Sequence, residues 1–246
     1  MPNLKGEAVT LGQDAFRSSA DQIHDLGARG RDWAGRYYRY VLAGASDLVA
    51  GNVVQSPAVT TAHLANTPPA VAIGDTSFTY TPGAATGTAN EYAGGLLQVD
   101  TTPGNGYSYA VEKHPAIASA TAFTLNLRTD DAVQVALTTS SRVGLHHSPW
   151  RGVIQMPATT ATGLAVGIAT YIITTAQYGW IGTWGYFPVL ISGTPALGAA
   201  VVAPSGTAGA AVVMDTTVLV TAQLVGYMLQ IGVSGKNNMV FVKLHP

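Results

Sequence analysis

The stretch YGWIGTWGY, from Tyr178 to Tyr186, holds two of the four tryptophans and two of the eleven tyrosines of the chain. Successive side chains of a β-strand point to opposite faces, so a strand here places all four rings on one face. Glycine inside a strand indicates a bend or the close approach of another backbone. We therefore expect a curved strand whose aromatic face packs against a neighbouring sheet or subunit. The rings belong to Tyr178, Trp180, Trp184 and Tyr186.

An exposed row of rings would instead be a platform for a sugar. Such platforms place acids, amides or arginines beside the rings, whereas the neighbours here are Gly, Ile, Thr and Phe. An aromatic side chain buries about 150–250 Å², which stabilises by several kcal/mol at about 25 cal/mol per Å². Packing is therefore favoured over the alternative, a carbohydrate-binding adsorption module that uses the strand of Trp180 and Trp184.

The rest of the 246-residue chain also shows the patterns of short strands. Residues 95–113 are typical of a hairpin, whose turn chemistry comes from PGNG at Pro103–Gly106. Clusters of Gly, Pro, Ser and Thr recur at short intervals, as in sandwiches and barrels. The fold class that we expect is all-β, with one or two β-sandwich or barrel domains after a short, partly helical N-terminal arm. Alternation predicts further strands at Arg36–Leu42, Phe123–Leu127, Ala132–Leu137 and Val240–Leu244.

The first 35 residues differ from the rest because they are charged and poor in β-branched side chains. Apolar residues near helical spacing predict a helix from about Gln13 to Leu26. So short a helix is marginal alone in water, so it needs a surface to dock on. We expect an arm at 1–35, a β domain at 36–157 and a second β domain at 158–246, because charge almost vanishes after Pro157.

Charge is scarce and unevenly distributed. Charged residues make up 10% of the chain, against about 25% in a typical globular protein. Asp215 is the single charged residue between Arg151 and Lys236. Because the cores of oligomer interfaces are depleted in charge, the C-terminal third is expected to meet protein. The alternative is a solvated surface of Thr and Ser.

Several partners and chemistries are disfavoured by composition. The net charge of −1 provides no basic patch for nucleic acid. The absence of cysteine removes disulfides, thiolate catalysis and Cys-based metal sites. The N-terminus lacks the apolar segment of a signal peptide, and the longest apolar stretch is far shorter than the ~20 residues of a membrane helix. We therefore expect a soluble protein that binds neither nucleic acid nor a membrane.

Motifs that would carry catalysis are missing from the sequence. His146 and His147 are adjacent and would point to opposite faces of a strand, which disfavours a shared metal. Asp130 and Asp131 fit a solvated turn better than the separated carboxylates of a glycosidase. The chain contains no P-loop, no G-x-S-x-G and no H-E-x-x-H motif. The sequence therefore predicts neither an enzyme nor a cofactor or metal site.

Several long sequence segments of the chain resemble virion structural proteins of tailed bacteriophages, and in particular their capsid decoration, or cement, proteins. The resemblance covers most of the chain from Arg36 onward and excludes residues 1–35. The segments that carry it are RYYRYVLAGASDLVAGNVVQSP (36–57), TANEYAGGLLQVDTTPGNGYSY (88–109), AFTLNLRTDDAVQVALTTSSRVGLHHSPWRGVIQMP (122–157), QYGWIGTWGYFPVLISGTPALGAAVV (177–202) and IGVSGKNNMVFVKL (231–244).

The resemblance implies a β-rich homotrimer on the exterior of the phage head, present in the host cytoplasm during assembly. Proteins of this kind clamp neighbouring subunits of the major capsid protein, and they need no catalytic residue or cofactor. A tail or baseplate structural protein is the alternative within virion proteins, and copy number per particle distinguishes the two.

The arm is expected to contribute to capsid or intersubunit contact together with the four rings of YGWIGTWGY. A charged segment ahead of a β body suits an element that becomes ordered on a partner. Deletion of residues 1–30 is then expected to weaken capsid occupancy and to leave trimers intact. The arm residues concerned are Arg29, Arg31, Trp33 and Arg36.

Overall fold

A computed structural model describes residues 8–215 and 222–245. Within them the chain forms sixteen strands and two short 3-10 helices, Gln13–Phe16 and Thr61–His63. The described part of the chain contains no helix that is long and apolar enough to cross a membrane. The all-β fold class predicted from the sequence is therefore confirmed.

The strands are numbered in chain order. The first six are β1 (Val9–Thr10), β2 (Arg29–Arg31), β3 (Tyr37–Ala43), β4 (Val53–Gln55), β5 (Ser77–Tyr80) and β6 (Leu96–Thr101). The next six are β7 (Ser108–Lys113), β8 (Phe123–Leu127), β9 (Arg142–His146), β10 (Arg151–Gln155), β11 (Ala165–Ala169) and β12 (Tyr178–Ile191). The last four are β13 (Ala200–Ala203), β14 (Val212–Val213), β15 (Gln223–Met228) and β16 (Lys236–Lys243).

The chain divides into two compact units. Unit 1 contains the chain up to Pro57 and from Pro149 onward, and unit 2 is Ala58–Ser148. This division differs from the predicted domains 36–157 and 158–246. The strand that precedes the predicted boundary, β10, pairs with β3 and β4 of unit 1. Pairing between strands about a hundred residues apart leaves no trace in local composition.

Five strands of unit 1 close into a barrel. They follow one another in the order β3, β10, β4, β11 and β12, and β12 pairs again with β3. Closure of this kind protects the polar edges of the strands that take part. Every strand contributes to an aliphatic core whose members include Val41, Val54, Val153, Val166 and Ile181.

The sheet of unit 1 continues beyond the barrel on both sides. The short strands β1 and β2 extend it from β3, while β16, β15, β13 and β14 extend it from β12. A second apolar core, called the outer core below, lies on the face of β3 and β12 that points away from the barrel interior. Its members include Tyr38, Trp180, Phe187, Val189 and Val240.

A β-bulge at Thr183 divides β12 into two halves. The register between β12 and β3 shifts between Gly182 and Trp184, which makes Thr183 the extra residue. One extra residue reverses the alternation of side chains along a strand. Consequently Trp180 of the first half and Phe187 of the second half pack in the same outer core, although one position is even and the other odd.

The four rings of YGWIGTWGY are therefore split between two faces of the sheet. Tyr178 and Trp180 pack against the outer core, while Trp184 and Tyr186 point away from it. The expectation of a single aromatic face is wrong, because the bulge interrupts the alternation that it assumes. The expected local distortion is present, since Gly185 has a φ of +107°, which an L side chain rarely adopts.

The N-terminal segment is extended rather than helical for most of its length. A single 3-10 turn, Gln13–Phe16, stands where a helix to Leu26 was predicted. The helix does not continue because Ser19 exchanges both backbone hydrogen bonds with Tyr178, at 2.9 and 2.8 Å. Leu11 of the same segment is buried in the outer core. The described part of the arm is thus a structural component of unit 1.

Unit 2 is an antiparallel sheet in the order β5, β8, β7, β6 and β9. The predicted hairpin is confirmed as β6 and β7, with positive φ at Gly104 and Gly106. The predicted strand at Ala132–Leu137 is wrong, because only Leu137 forms a ladder bridge there. The core of unit 2 includes Tyr80, Tyr92, Leu97, Tyr109, Leu125 and Leu145.

Candidate functional site

Five neighbouring strands of unit 1 present one open face. Arg31 of β2 pairs with Tyr37 of β3, and Tyr37 pairs with Trp184 of β12. Trp184 in turn pairs with Lys243 of β16. Because directly paired residues project from the same face of a sheet, these four side chains form one row across four strands.

A second row adjoins the first. Tyr186 of β12 pairs with Phe241 of β16, and Phe241 pairs with Tyr227 of β15. Tyr186 and Tyr227 are more than a third exposed, at 39% and 38%. The two rows, together with Arg29, are called the arginine–aromatic face below. Its members are Arg29, Arg31, Tyr37, Trp184, Tyr186, Tyr227, Phe241 and Lys243.

Cations lie over rings of this face. The guanidinium carbons of Arg29 and Arg31 are 5.6 and 5.8 Å from the ring centre of Tyr37. The ammonium of Lys243 is 5.0 Å from the ring centre of Tyr227. Within the described residues none of these three cations takes part in an ion pair. The face therefore carries a net positive charge beside apolar ring surface.

A tight turn joins β2 to β3 at the edge of this face. The Asp32 carboxylate accepts hydrogen bonds from the backbone N–H groups of Ala34 and Arg36, both at 3.0 Å. It also accepts bonds from the Arg36 guanidinium at 2.6 Å and from the Tyr38 hydroxyl at 3.2 Å. Four donors on one buried carboxylate fix the backbone of the turn.

The protonation of this turn follows from the same contacts. Burial by itself raises the pKa of Asp32, but hydrogen bonds from Arg36 and Tyr38 and the charge of Arg36 outweigh it and lower that pKa. Burial raises the pKa of the Tyr38 hydroxyl, so Tyr38 stays a donor. The Arg36 guanidinium also lies 5.8 Å from the ring centre of Tyr186, which connects the turn to the arginine–aromatic face.

Trp33 stands in the turn that Asp32 fixes. Its side chain is 93% exposed. Tryptophan and arginine are enriched among the residues that dominate binding energy at interfaces. A fixed turn also reduces the entropy lost when such a side chain is bound. Trp33 therefore has the properties of an anchor for a protein partner.

The structure brings together six of the eight residues singled out in the sequence. Arg29, Arg31, Trp33, Arg36, Trp184 and Tyr186 belong to the arginine–aromatic face or the adjoining turn. Tyr178 and Trp180 lie on the opposite face, where Trp180 is 2% exposed. Trp180 and Trp184 therefore do not form a common platform for a sugar.

Five residues of the face and its turn are not indicated as site members by the sequence pattern: Asp32, Tyr37, Tyr227, Phe241 and Lys243. Nothing in the local sequence shows that the Asp32 carboxylate is buried. Tyr37 and Phe241 alternate with core residues in their strands, so the pattern indicates that they face outward. Their meeting with Trp184 depends on the register across three strands, which the sequence does not reveal.

The histidine pair considered as a metal site lies in unit 2. His147 Nε2 is 3.0 Å from a carboxylate oxygen of Glu91, and its ring stacks on Tyr92 with centroids 4.3 Å apart. The hydrogen bond from His147 is the main cause that lowers the pKa of Glu91. Among the described residues no group of three His, Cys, Asp or Glu side chains is placed to hold a metal ion.

Comparison of the chain with known protein families, curated proteins and solved structures found no match in any of the three. The arginine–aromatic face and the Trp33 turn combine exposure, charge and fixed geometry.

Proposed function

We propose that this chain is a virion structural protein, a capsid decoration or cement protein that binds the outside of a phage head and stabilises the lattice of the major capsid protein. The observation that carries the proposal is the arginine–aromatic face with the Trp33 turn at its edge. The sequence resemblance supplies the class of virion protein, and the face supplies a surface for the capsid partner.

The chemistry of the face suits a protein partner. Interfaces are enriched in aromatic side chains and arginine and are depleted in lysine and acids relative to other surface. The cations at Arg29, Arg31 and Lys243 favour an acidic patch on the capsid subunit, because complementary charge steers association and fixes register. Binding is then expected to weaken as salt is added.

Homotrimer formation is the second part of the proposal. The charge-poor segment from Gly152 to Gly235 belongs to unit 1. Large apolar side chains there are exposed, including Leu197 at 67% and Ile231 at 71%. Exposed apolar surface without charge suits contact between copies of one chain in a closed oligomer.

Reconstitution on heads that lack this protein tests the proposal. Purified wild-type protein is expected to bind in hundreds of copies per head and to raise the temperature at which heads rupture, because it binds the assembled lattice. Trp33→Ala is expected to weaken binding about 30-fold or more, as for an anchor residue worth at least about 2 kcal/mol. Deletion of residues 1–30 is a poor test, since it removes Leu11 from the outer core.

Ile73→Ala is the matched control, because Ile73 is also an exposed apolar residue, at 68%, but lies in unit 2. Equal occupancy for Trp33→Ala and wild type would contradict the role of the turn. A few to a few dozen copies per virion, located away from the head, would favour the alternative of a tail or baseplate protein. A monomeric mass in solution would contradict the trimer.

A further inference from the structure

A cavity of about 320 Å³ lies in unit 1 between the N-terminal segment and the first half of β12. Ligand pockets range from about 300 to 1,000 Å³, so this one fits a small ligand or the end of a longer one. It is on the side of β12 that faces away from the arginine–aromatic face. Its walls include the rings of His24, Tyr40, Tyr178 and Trp180 and the polar side chains of Asp14 and Arg17.

Aromatic rings form the back of the cavity. Tyr40 and Tyr178 are nearly parallel, with ring centres 6.0 Å apart. The His24 ring lies 5.2 Å from both Tyr40 and Trp180. Tyr40 and Trp180 are almost fully buried and support the rings in front of them, whereas Tyr178 and His24 are partly exposed to the cavity.

Hydrogen bonds to the backbone of the N-terminal segment hold the front wall in place. Ser19 and Tyr178 exchange two such bonds, and the backbone N–H of Ile23 donates to the Tyr40 hydroxyl at 3.2 Å. The Tyr171 hydroxyl donates to the carbonyl of Arg17. The cavity is therefore formed before a ligand arrives, which lowers the entropic cost of binding.

The rim of the cavity is polar and carries balanced charge. Asp14 and Arg17 are 3.8 Å apart, and both side chains are 75% exposed. A pair at this exposure is weak, so both groups keep capacity for hydrogen bonds to a ligand. One positive and one negative group favour a neutral ligand over an anion or a cation.

We propose that this cavity binds a neutral pyranose, such as the terminal sugar of a glycan. A pyranose has a face of C–H groups, which suits the Tyr178 ring, and a perimeter of hydroxyl groups, which suits Asp14, Arg17 and Ser18 at the rim. The site uses only the first half of β12, so it differs from a platform of Trp180 and Trp184. It does not depend on capsid binding.

Saturation-transfer NMR on the full chain tests the proposal with glucose, galactose and N-acetylglucosamine as probes. At least one sugar is expected to bind saturably and to receive most transfer at the C–H protons of one ring face. Tyr178→Ala is expected to raise the Kd about tenfold. Arg17→Ala, which changes an exposed rim residue and spares the fold, is expected to raise it about threefold.

Tyr107→Ala is the matched control, because it removes a partly exposed tyrosine that lies in unit 2. The proposal is overturned if none of the three sugars binds saturably, if Tyr107→Ala and Tyr178→Ala weaken binding equally, or if Arg17→Ala leaves the Kd unchanged. Tighter binding of phenol than of any sugar also overturns it. Head occupancy of Tyr178→Ala equal to wild type keeps this result separate from the capsid proposal.

Discussion

The two halves of β12 contain the same types of aromatic residue, but they place them in opposite environments. Each half supplies one tyrosine and one tryptophan. Trp180 in the first half is buried beside Tyr40, with ring centres 5.0 Å apart. Trp184 in the second half is partly exposed and meets the edge of Phe241 at 5.7 Å. Residue type therefore does not decide which rings are core and which are surface; the extra residue at Thr183 does.

Deletion of Thr183 removes the extra residue from β12. Trp184 then follows Gly182 opposite Tyr37, so alternation keeps Phe187 and Val189 in the outer core and Trp184 outside it. Unit 1 is therefore expected to fold with reduced stability, because the buried Thr183 side chain and the bend of the strand are lost. Solubility and a cooperative urea transition followed by circular dichroism measure this.

Thr183→Ser is the control for that deletion, because it keeps both the residue count and the hydroxyl that donates to the Tyr37 carbonyl at 3.3 Å. It is expected to stay within about 1 kcal/mol of wild type. A Thr183 deletion that fails to fold would contradict the assignment of Thr183 as the extra residue of β12.

Trp180→Ala is expected to lower the free energy of unfolding by about 3–5 kcal/mol, because it empties a site in the outer core. Trp184→Ala, its counterpart in the second half, is expected to cost about 1–2 kcal/mol, mainly from the edge contact with Phe241 and partial burial. Urea unfolding of the two variants side by side provides the measurement. Equal losses would mean that Trp184 is covered in solution.

Asp32→Asn tests the exposed second half of β12, because Asp32 holds Arg36 near Tyr186. Loss of a charged partner in this buried network is expected to cost about 1–3 kcal/mol at pH 7. The lowered pKa of Asp32 in the folded state means that its stabilisation is present above its ordinary pKa of 3.8 and is lost as pH falls through the folded-state pKa.

The difference in urea midpoint between wild type and Asp32→Asn should therefore be largest at neutral pH and shrink below about pH 4. Asp21→Asn, which removes an exposed carboxylate of the same segment, is expected to match wild type throughout. A difference in urea midpoint between wild type and Asp32→Asn that stays constant from pH 7 to pH 3 would show that the charge of Asp32 does not stabilise the turn.

Tyr186→Ala is expected to have the smallest effect, within about 0.5 kcal/mol, because its side chain is exposed and replacement of such residues rarely changes stability. Thermal unfolding at two protein concentrations measures this. A loss above about 2 kcal/mol, or a loss that depends on concentration, would indicate that another copy of the chain covers the ring.

Local patterns in the sequence predicted the elements better than their arrangement. PGNG fixed the hairpin of β6 and β7, because its glycines adopt the positive φ that the turn needs. The helix to Leu26 was predicted from apolar spacing, but Ser19 bonds to β12 instead. The predicted strand at Ala132–Leu137 shows the expected alternation of burial, but only Leu137 forms a β-bridge, so the segment lacks continuous pairing.

The same contrast between local elements and their arrangement applies to the candidate site. The sequence indicated the basic residues before β3 and the rings of β12 as surface that meets a partner. It did not show that Arg31, Tyr37, Trp184 and Lys243 lie in one row, because register between strands is set by pairing over long separations. The roles of these residues in capsid contact remain predictions.

By itself, the sequence determined that this protein is built of strands, that its charge is concentrated near the N-terminus, and that YGWIGTWGY is a strand distorted by glycine. Local propensity and alternation suffice for these features. Only the tertiary structure decided which rings are buried and which are exposed. That choice depends on one extra residue, Thr183, opposite β3, and a bulge exists only when two strands are paired.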